Sequence, residues 1–205
     1  MAKLALKLSS KSIGKNRYGE DAHEYYVGVY NLDTKKPVEI NYRDDIKPNF
    51  TTEVQKPEGL SGFVLLKKNG ETKLIIKFLV DSYIYDVESE SFPYTIKDGE
   101  VVCKIPLREI IKYSDKIEIF NAEGLLICEE ERFKHDVRGV KDFDIKFNKN
   151  DFTIVDMFVP NYKDYYNVTK RIIDYSGKTL VNQTKEMHCD NVIKNNLNED
   201  EEIIL

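Results

Sequence analysis

The densest group of side chains that could bind a metal or catalyse a reaction lies near the end of the chain. Its members are Glu186, His188, Cys189 and Asp190. A zinc site needs four ligands within tetrahedral reach, usually from two such groups, and neither His23 nor His135 has a cysteine beside it. A Cys–His nucleophilic pair also fails, because neighbours in a strand point to opposite faces. The sequence therefore predicts neither a zinc site nor a catalytic thiol here.

A second group of oxygen ligands begins at Asp142. Asp142 and Asp144 would lie on one face of a strand, and Asn148, Asn150 and Asp151 come shortly after. Such oxygens suit Ca²⁺, but the glycine and closing acid of an EF-hand loop are missing. Charged residues on a solvated strand face explain the pattern. With no phosphate-binding glycine loop and no nucleophile elbow in the sequence, we expect no enzyme activity, no cofactor and no small-molecule substrate.

The bulk composition indicates a folded, β-rich chain. Apolar residues make up 41% of its 205 residues, and 13 Tyr and 10 Phe stand beside no Trp. The net charge of −5 argues against nucleic acid as a partner. An odd number of cysteines, Cys103, Cys128 and Cys189, favours a reducing compartment. We interpret Cys103 and Cys128 as small buried residues in neighbouring strands, with a bridge between them conceivable.

Turn signals divide residues 62 to 131 into antiparallel hairpins. Asn69-Gly70 and Asp98-Gly99 each separate two alternating apolar runs, and both pairs tolerate the positive φ of a type I′ turn. A third reversal is predicted over 121–124, which ends in glycine. Leu107, Ile110 and Ile111 follow Pro106 at helical spacing, so we predict one or two helical turns between the second and third hairpins.

This order of elements resembles the late half of an immunoglobulin-like sandwich. In that resemblance VVCKI (101–105) precedes a crossover between the two sheets, KIEIF (116–120) follows it, and LLICEE (125–130) is the last strand. The resemblance implies a mainly β fold, an antiparallel immunoglobulin-like β-sandwich with strand-forming N- and C-terminal extensions. The absence of Trp excludes an antibody-type domain.

The flanking segments complete the predicted organisation. Residues 1–20 form an N-terminal arm, 21–60 a β-hairpin with a connecting loop, 61–131 the sandwich, 132–190 further β-hairpins and 191–205 an acidic tail. Within the arm, KLALKL (3–8) alternates with period two and reads as a strand. A helical reading stays open, because lysines recur every four residues from Lys3 to Lys15.

The chain resembles virion structural proteins of tailed phages in composition and architecture, being rich in Asn, Lys, Asp, Tyr and Ile without a secretion signal. The resemblance implies a non-enzymatic capsid-associated or tail and connector component, made in the host cytoplasm and found in the virion, with no membrane contact. Its partners would be further copies of itself and other virion proteins, held together by terminal arms that subunits exchange and that add strands to exposed sheet edges. The predicted contact residues are Lys3, Leu4, Leu6, Lys7, Leu8, Tyr83, Tyr85, Ile203, Ile204 and Leu205.

Two other functions stay open. Tyr83 and Tyr85 share one face of a strand and could act as sugar platforms in a carbohydrate- or surface-protein-binding sandwich. The basic arm from Lys3 to Arg17 could instead contact nucleic acid, with a steep dependence on salt.

Overall fold

The structure is a computed structural model that describes residues 3–15, 17–40, 51–53, 59–81, 94–136, 138–161 and 163–188. It is mainly β, with 70% strand, one helix in the described part, and antiparallel sheets. This confirms the predicted mainly β class. The chain divides into two compact units, Met1–Glu131 with Tyr175–Lys178, and Arg132–Asp174 with Thr179–Leu205.

The first unit contains two sheets and the helix. Its strands are β1 (Leu4–Lys15), β2 (Asp21–Asn31), β3 (Lys36–Pro37), β4 (Thr51–Glu53), β5 (Gly59–Lys68), β6 (Glu71–Asp81), β7 (Tyr94–Lys97), β8 (Glu100–Cys103), β9 (Lys116–Asn121) and β10 (Leu126–Glu131), and α1 spans Leu107–Tyr113. The first sheet has the order β3-β2-β1-β8-β7, with β4 also paired to β2. The second has the order β10-β9-β6-β5.

One apolar core joins these two sheets into a sandwich. The first sheet contributes Leu4, Leu6, Val27, Val29 and Tyr94, and the second contributes Phe63, Ile75 and Phe120. Removal of such side chains from water is the main favourable term in folding. On the face of β6 that points away from this core, Leu74, Ile76 and Phe78 are buried. The helix α1 packs against β6, and its residues Ile110 and Ile111 are buried. The second sheet therefore has buried residues on both faces.

The predicted turns are confirmed. Asn69 and Gly70 have φ values of 53° and 77°, and Asp98 and Gly99 have 51° and 80°. These positive values at both central positions are what a type I′ turn requires. At the third reversal, the Asn121 Oδ1 accepts hydrogen bonds from the backbone N–H groups of Glu123 and Leu125.

The helical crossover also lies where the sequence placed it. α1 connects β8 of the first sheet to β9 of the second. Pro106 is the residue just before the helix rather than its first residue. Proline suits this place because its missing N–H would have no partner within the helix.

The N-terminal segment differs from the predicted arm. β1 lies inside the first sheet, where it pairs with β2 along its length and with β8 at Leu6 and Val101. This pairing confirms the strand reading of 3–8 over the helical one. The sandwich thus extends beyond 61–131 and includes strands from the segments 1–20 and 21–60. The alternation of KLALKL gives the strand one apolar face, and that face enters the core of the same unit.

The described part of the second unit is one five-stranded antiparallel sheet, the third sheet of the structure. Its strands are β11 (Phe133–Asp136), β12 (Gly139–Phe147), β13 (Asp151–Pro160), β14 (Tyr165–Asp174) and β15 (Thr179–His188), ordered as they follow in the chain. The segment 132–190, for which further β-hairpins are predicted, contains the antiparallel hairpins β12–β13 and β14–β15. Its buried apolar side chains are Phe143, Ile145, Phe152, Ile154, Tyr166, Val168 and Ile173.

The positions of Cys103 and Cys128 differ from those expected from the sequence. Cys103 and Cys128 are free thiols that are half-buried. They lie in β8 and β10, which belong to different sheets, and so they are not in neighbouring strands as predicted.

Candidate functional site

The predicted contact residues of the N-terminal segment lie on or next to β1. The side chains of Leu4 and Leu6 are 1% and 7% exposed, and both belong to the sandwich core. Leu8 is half-buried against the same core. Lys3 and Lys7 are exposed, and the Lys7 Nζ lies 5.0 Å from the centre of the Tyr30 ring. The apolar side of this strand is therefore used within the chain itself.

The other predicted contact residues lie outside the described residues. They are Tyr83, Tyr85, Ile203, Ile204 and Leu205. The metal-capable group is partly described, because Cys189 and Asp190 also fall outside. Of its described members, His188 packs its ring edge-on against Tyr165, with 4.9 Å between ring centres.

Tyr94 is a buried side chain whose pKa is raised and whose hydroxyl has a clear structural role. The Phe63 N–H donates to the Tyr94 hydroxyl oxygen at 2.6 Å, and that hydroxyl donates to the Phe63 carbonyl at 3.0 Å. Burial and the nearby Cys103 raise the pKa of Tyr94, against a lowering by the hydrogen bond to Phe63. The phenol therefore stays neutral and can donate a hydrogen bond.

This phenol covers part of the edge that β5 forms among the described strands of the second sheet. β5 is the last strand of that sheet, so the groups that Phe63 turns away from β6 would otherwise be open to another strand. Gly62 makes room for the phenol, because a Cβ there would lie 1.9 Å from the Tyr94 hydroxyl oxygen. The arrangement satisfies and closes part of an edge.

Four charged side chains form an ion-pair network on the second sheet. Glu118 lies 3.1 Å from the Lys77 Nζ and 3.3 Å from the Lys116 Nζ, and Lys116 also reaches Glu129 at 3.0 Å. Burial works to lower the pKa of Lys116, but the hydrogen bond to Glu129 and the charges of Glu118 and Glu129 outweigh it and raise the pKa. The cations thus compensate a Glu118 side chain that is only 8% exposed, which is how buried charges are tolerated.

Asp142 and Asp144 accept hydrogen bonds within the third sheet. Asp142 accepts hydrogen bonds from the Arg132 guanidinium and from the Phe143 N–H. Asp144 is exposed and accepts from the Ile145 N–H at 2.9 Å. Among the described residues, no three His, Cys, Asp or Glu side chains are grouped so that they could hold a metal ion.

The sheet edges differ in how they are protected. Four edge strands are short, since β3, β4, β7 and β11 have two to four residues each. β10 ends in Glu129, Glu130 and Glu131, and β5 carries the phenol of Tyr94. Short strands, charges and covering groups are the means by which proteins prevent unwanted strand pairing.

β15 lacks most of these protections in the part of the chain that the structure describes. It is ten residues long, TLVNQTKEMH, without proline or glycine. It is the last strand of the third sheet, so its outer backbone groups pair with no described strand. Its two charged residues, Lys185 and Glu186, are adjacent and opposite in sign. Among the described strands, β15 is therefore a long, neutral edge with no neighbour on its outer side, and it is the candidate functional surface.

The sequence contained one signal for this surface. The run after Ser176-Gly177 lacks proline, glycine and a cluster of like charges, which are the usual marks of a protected edge. Its position at the end of a sheet could not be read from the sequence, because sheet order depends on pairing between distant segments.

A comparison with known protein families, curated proteins and solved structures finds no match for this chain. Among the described residues, no helix has both the length and the apolar character needed to cross a membrane.

Proposed function

We propose that this protein is a non-enzymatic structural protein that assembles by strand pairing at a sheet edge. The observation that carries the proposal is the open ten-residue edge of β15. An exposed row of backbone N–H and C=O groups is a template for another strand, and edge pairing is an established way for proteins to associate.

The remaining architecture supports the same reading. The other edges of the described sheets are short, acidic or occupied, as at Phe63. Proteins protect exposed edges against unwanted strand pairing. In the part of the chain that the structure describes, most edges are protected and the long edge of β15 is not, an arrangement that favours association at β15.

The proposed setting is the virion of a tailed phage, as a capsid-associated or a tail and connector component. This part of the proposal is supported by the resemblance in composition given above and by the mainly β architecture. In a symmetric particle this strand contact would act together with contacts to other virion proteins, and several linked contacts add avidity to an interface that is modest by itself.

The N-terminal segment is not part of the proposed joint. Leu4 and Leu6 stabilise the sandwich of their own unit, so their exchange between subunits would expose that core. The strand edge replaces the apolar face of β1 as the surface that carries assembly.

Light scattering after size-exclusion chromatography tests the proposal. The 205-residue chain has a mass of 23.9 kDa. We expect the average mass in solution to rise with protein concentration towards a defined multiple of this value. A mass equal to one chain over the whole accessible concentration range would overturn the proposal.

A further inference from the structure

Resting on the proposed function, we infer that the partner of β15 is the β15 strand of a second copy, in an antiparallel pair centred on Thr184. The two third sheets would then join into one continuous sheet across a two-fold axis. Three features favour this pairing: the symmetry of the joint, the side chains that it brings together, and a row of hydroxyl groups that already begins within one chain.

Symmetry limits the registers that are available. A two-fold axis normal to a sheet makes the joined strands antiparallel and keeps each face on its own side. Residues that meet across the joint must therefore point to the same face, and successive residues alternate between faces. The axis consequently passes beside one residue, which meets its own copy, and residues equally far before and after it meet each other.

Only the register centred on Thr184 pairs compatible side chains along the strand. It sets Gln183 opposite Lys185, Asn182 opposite Glu186 and Val181 opposite Met187. These are an amide with an ammonium group, an amide with a carboxylate, and two apolar side chains. Such opposite pairs are the unit of sheet stabilisation.

The neighbouring registers are worse. A centre at Gln183 sets the apolar Val181 opposite Lys185, a centre at Lys185 brings two ammonium groups together, and a centre at Glu186 brings two carboxylates together. Like charges directly opposite each other destabilise a strand pair. Centres nearer Thr179 leave fewer residues paired and lose backbone hydrogen bonds.

The hydroxyl of Thr184 is already engaged on the side away from the joint. Its Oγ1 lies 3.1 Å from the Thr169 Oγ1 on β14, on the exposed surface. A hydroxyl donates one hydrogen bond and accepts up to two. Each Thr184 can therefore keep its bond to Thr169 and add a bond to Thr184 of the second copy, which would extend one row of hydroxyls through the joint.

Disulfide trapping tests the register. Opposite residues in an antiparallel pair have Cα atoms about 4.5–5.5 Å apart, within the span of a disulfide. We expect Thr184→Cys, in a Cys189→Ser background, to form a covalent dimer under mild oxidation. The matched control is Asn182→Cys, on the same face of the same strand. The four-residue offset between its two copies places them roughly 14 Å apart along the strands, too far for a bridge.

A second variant tests the joint without a covalent bond. Thr184→Lys would place two ammonium groups at the axis, and we expect it to raise the dissociation constant at least about tenfold, with partial recovery at high salt. The control Asn150→Lys adds the same charge in an exposed turn and should leave the constant unchanged. Circular dichroism confirms that each variant is folded.

The outcomes separate the two proposals. A wild-type oligomer in which Thr184→Cys cross-links no better than Asn182→Cys, or in which Thr184→Lys has no effect, overturns the β15 pairing and leaves assembly standing. A wild-type monomer at every concentration overturns both. Efficient trapping at Thr184 alone, with dissociation by Thr184→Lys, is the expected result.

Discussion

At the scale of single residues, the decisive contact of the sandwich is between the Tyr94 hydroxyl and the backbone of Phe63. One side chain satisfies a donor and an acceptor on another sheet. A buried backbone group that loses its partner costs about 1–3 kcal/mol. The Tyr94 hydroxyl is therefore a polar group within an apolar core, and both of its hydrogen bonds to Phe63 depend on a single oxygen atom.

Tyr94→Phe removes that oxygen and keeps the ring. We expect the free energy of unfolding to fall by about 2–4 kcal/mol, because the N–H and C=O of Phe63 both lose their partner. Urea denaturation followed by circular dichroism measures the change. Tyr165→Phe, at an exposed position on β14, is a suitable control, and an unchanged Tyr94→Phe protein would contradict the role assigned to the hydroxyl.

Gly62→Ala tests the same contact from the other side. The added Cβ would lie 1.9 Å from the Tyr94 hydroxyl oxygen, so we expect this variant to be destabilised as well. In the Tyr94→Phe background part of the clash disappears. The two changes should therefore cost less together than the sum of their separate costs, as residues in contact usually do.

At the scale of elements, local turns could be predicted and sheet partners could not. The positive φ of Asn69 and Gly70 follows from their residue types, so the hairpin β5–β6 could be located from four or five residues. The pairing of β1 with β8 has no such local cause, since it depends on the packing of Leu6 against residues far along the chain.

For the candidate site, too, the local structure could be predicted from the sequence and the sheet order could not. The strand β15 was predictable from the turn before it, whereas its place at the end of the third sheet was not. The N-terminal prediction failed for a related reason. Alternation in KLALKL shows that one face is apolar, but it does not show whether the covering surface belongs to the same chain.

The ion pairs of β9 and β10 predict a dependence of stability on alkaline pH. The pKa of Lys116 is raised above its usual value of 10.5, so its pairing with Glu118 and Glu129 stabilises the fold below that value. This contribution is lost as pH rises through the pKa of the folded state. Lys116→Met should therefore lose less stability than the wild type between about pH 9 and about pH 11.

Urea denaturation at the two pH values measures this difference. Lys97→Met, at an exposed position on β7, is the matched control and should follow the wild type. An equal alkaline loss for wild type and Lys116→Met would contradict the role of the network.

At the scale of the whole molecule, hydrogen exchange should separate the sheets. Amides of β6 and β9 should exchange most slowly, because both strands lie between neighbours and carry fully buried side chains. Amides of β15 should gain protection over about a hundredfold rise in concentration, since pairing with a second copy stabilises them by mass action. β7, another edge strand, should not change. Equal protection of β15 at both concentrations would contradict its pairing.

The place of β1 in the first sheet has a kinetic consequence. During synthesis the β1–β2 hairpin forms early, yet its partner β8 and most of the core that covers Leu4, Leu6, Val27 and Val29 are made much later. Contacts between such distant segments slow folding. The β1–β2 hairpin thus leaves the ribosome before the strands that bury it, and its apolar face is the surface that a chaperone would have to shield.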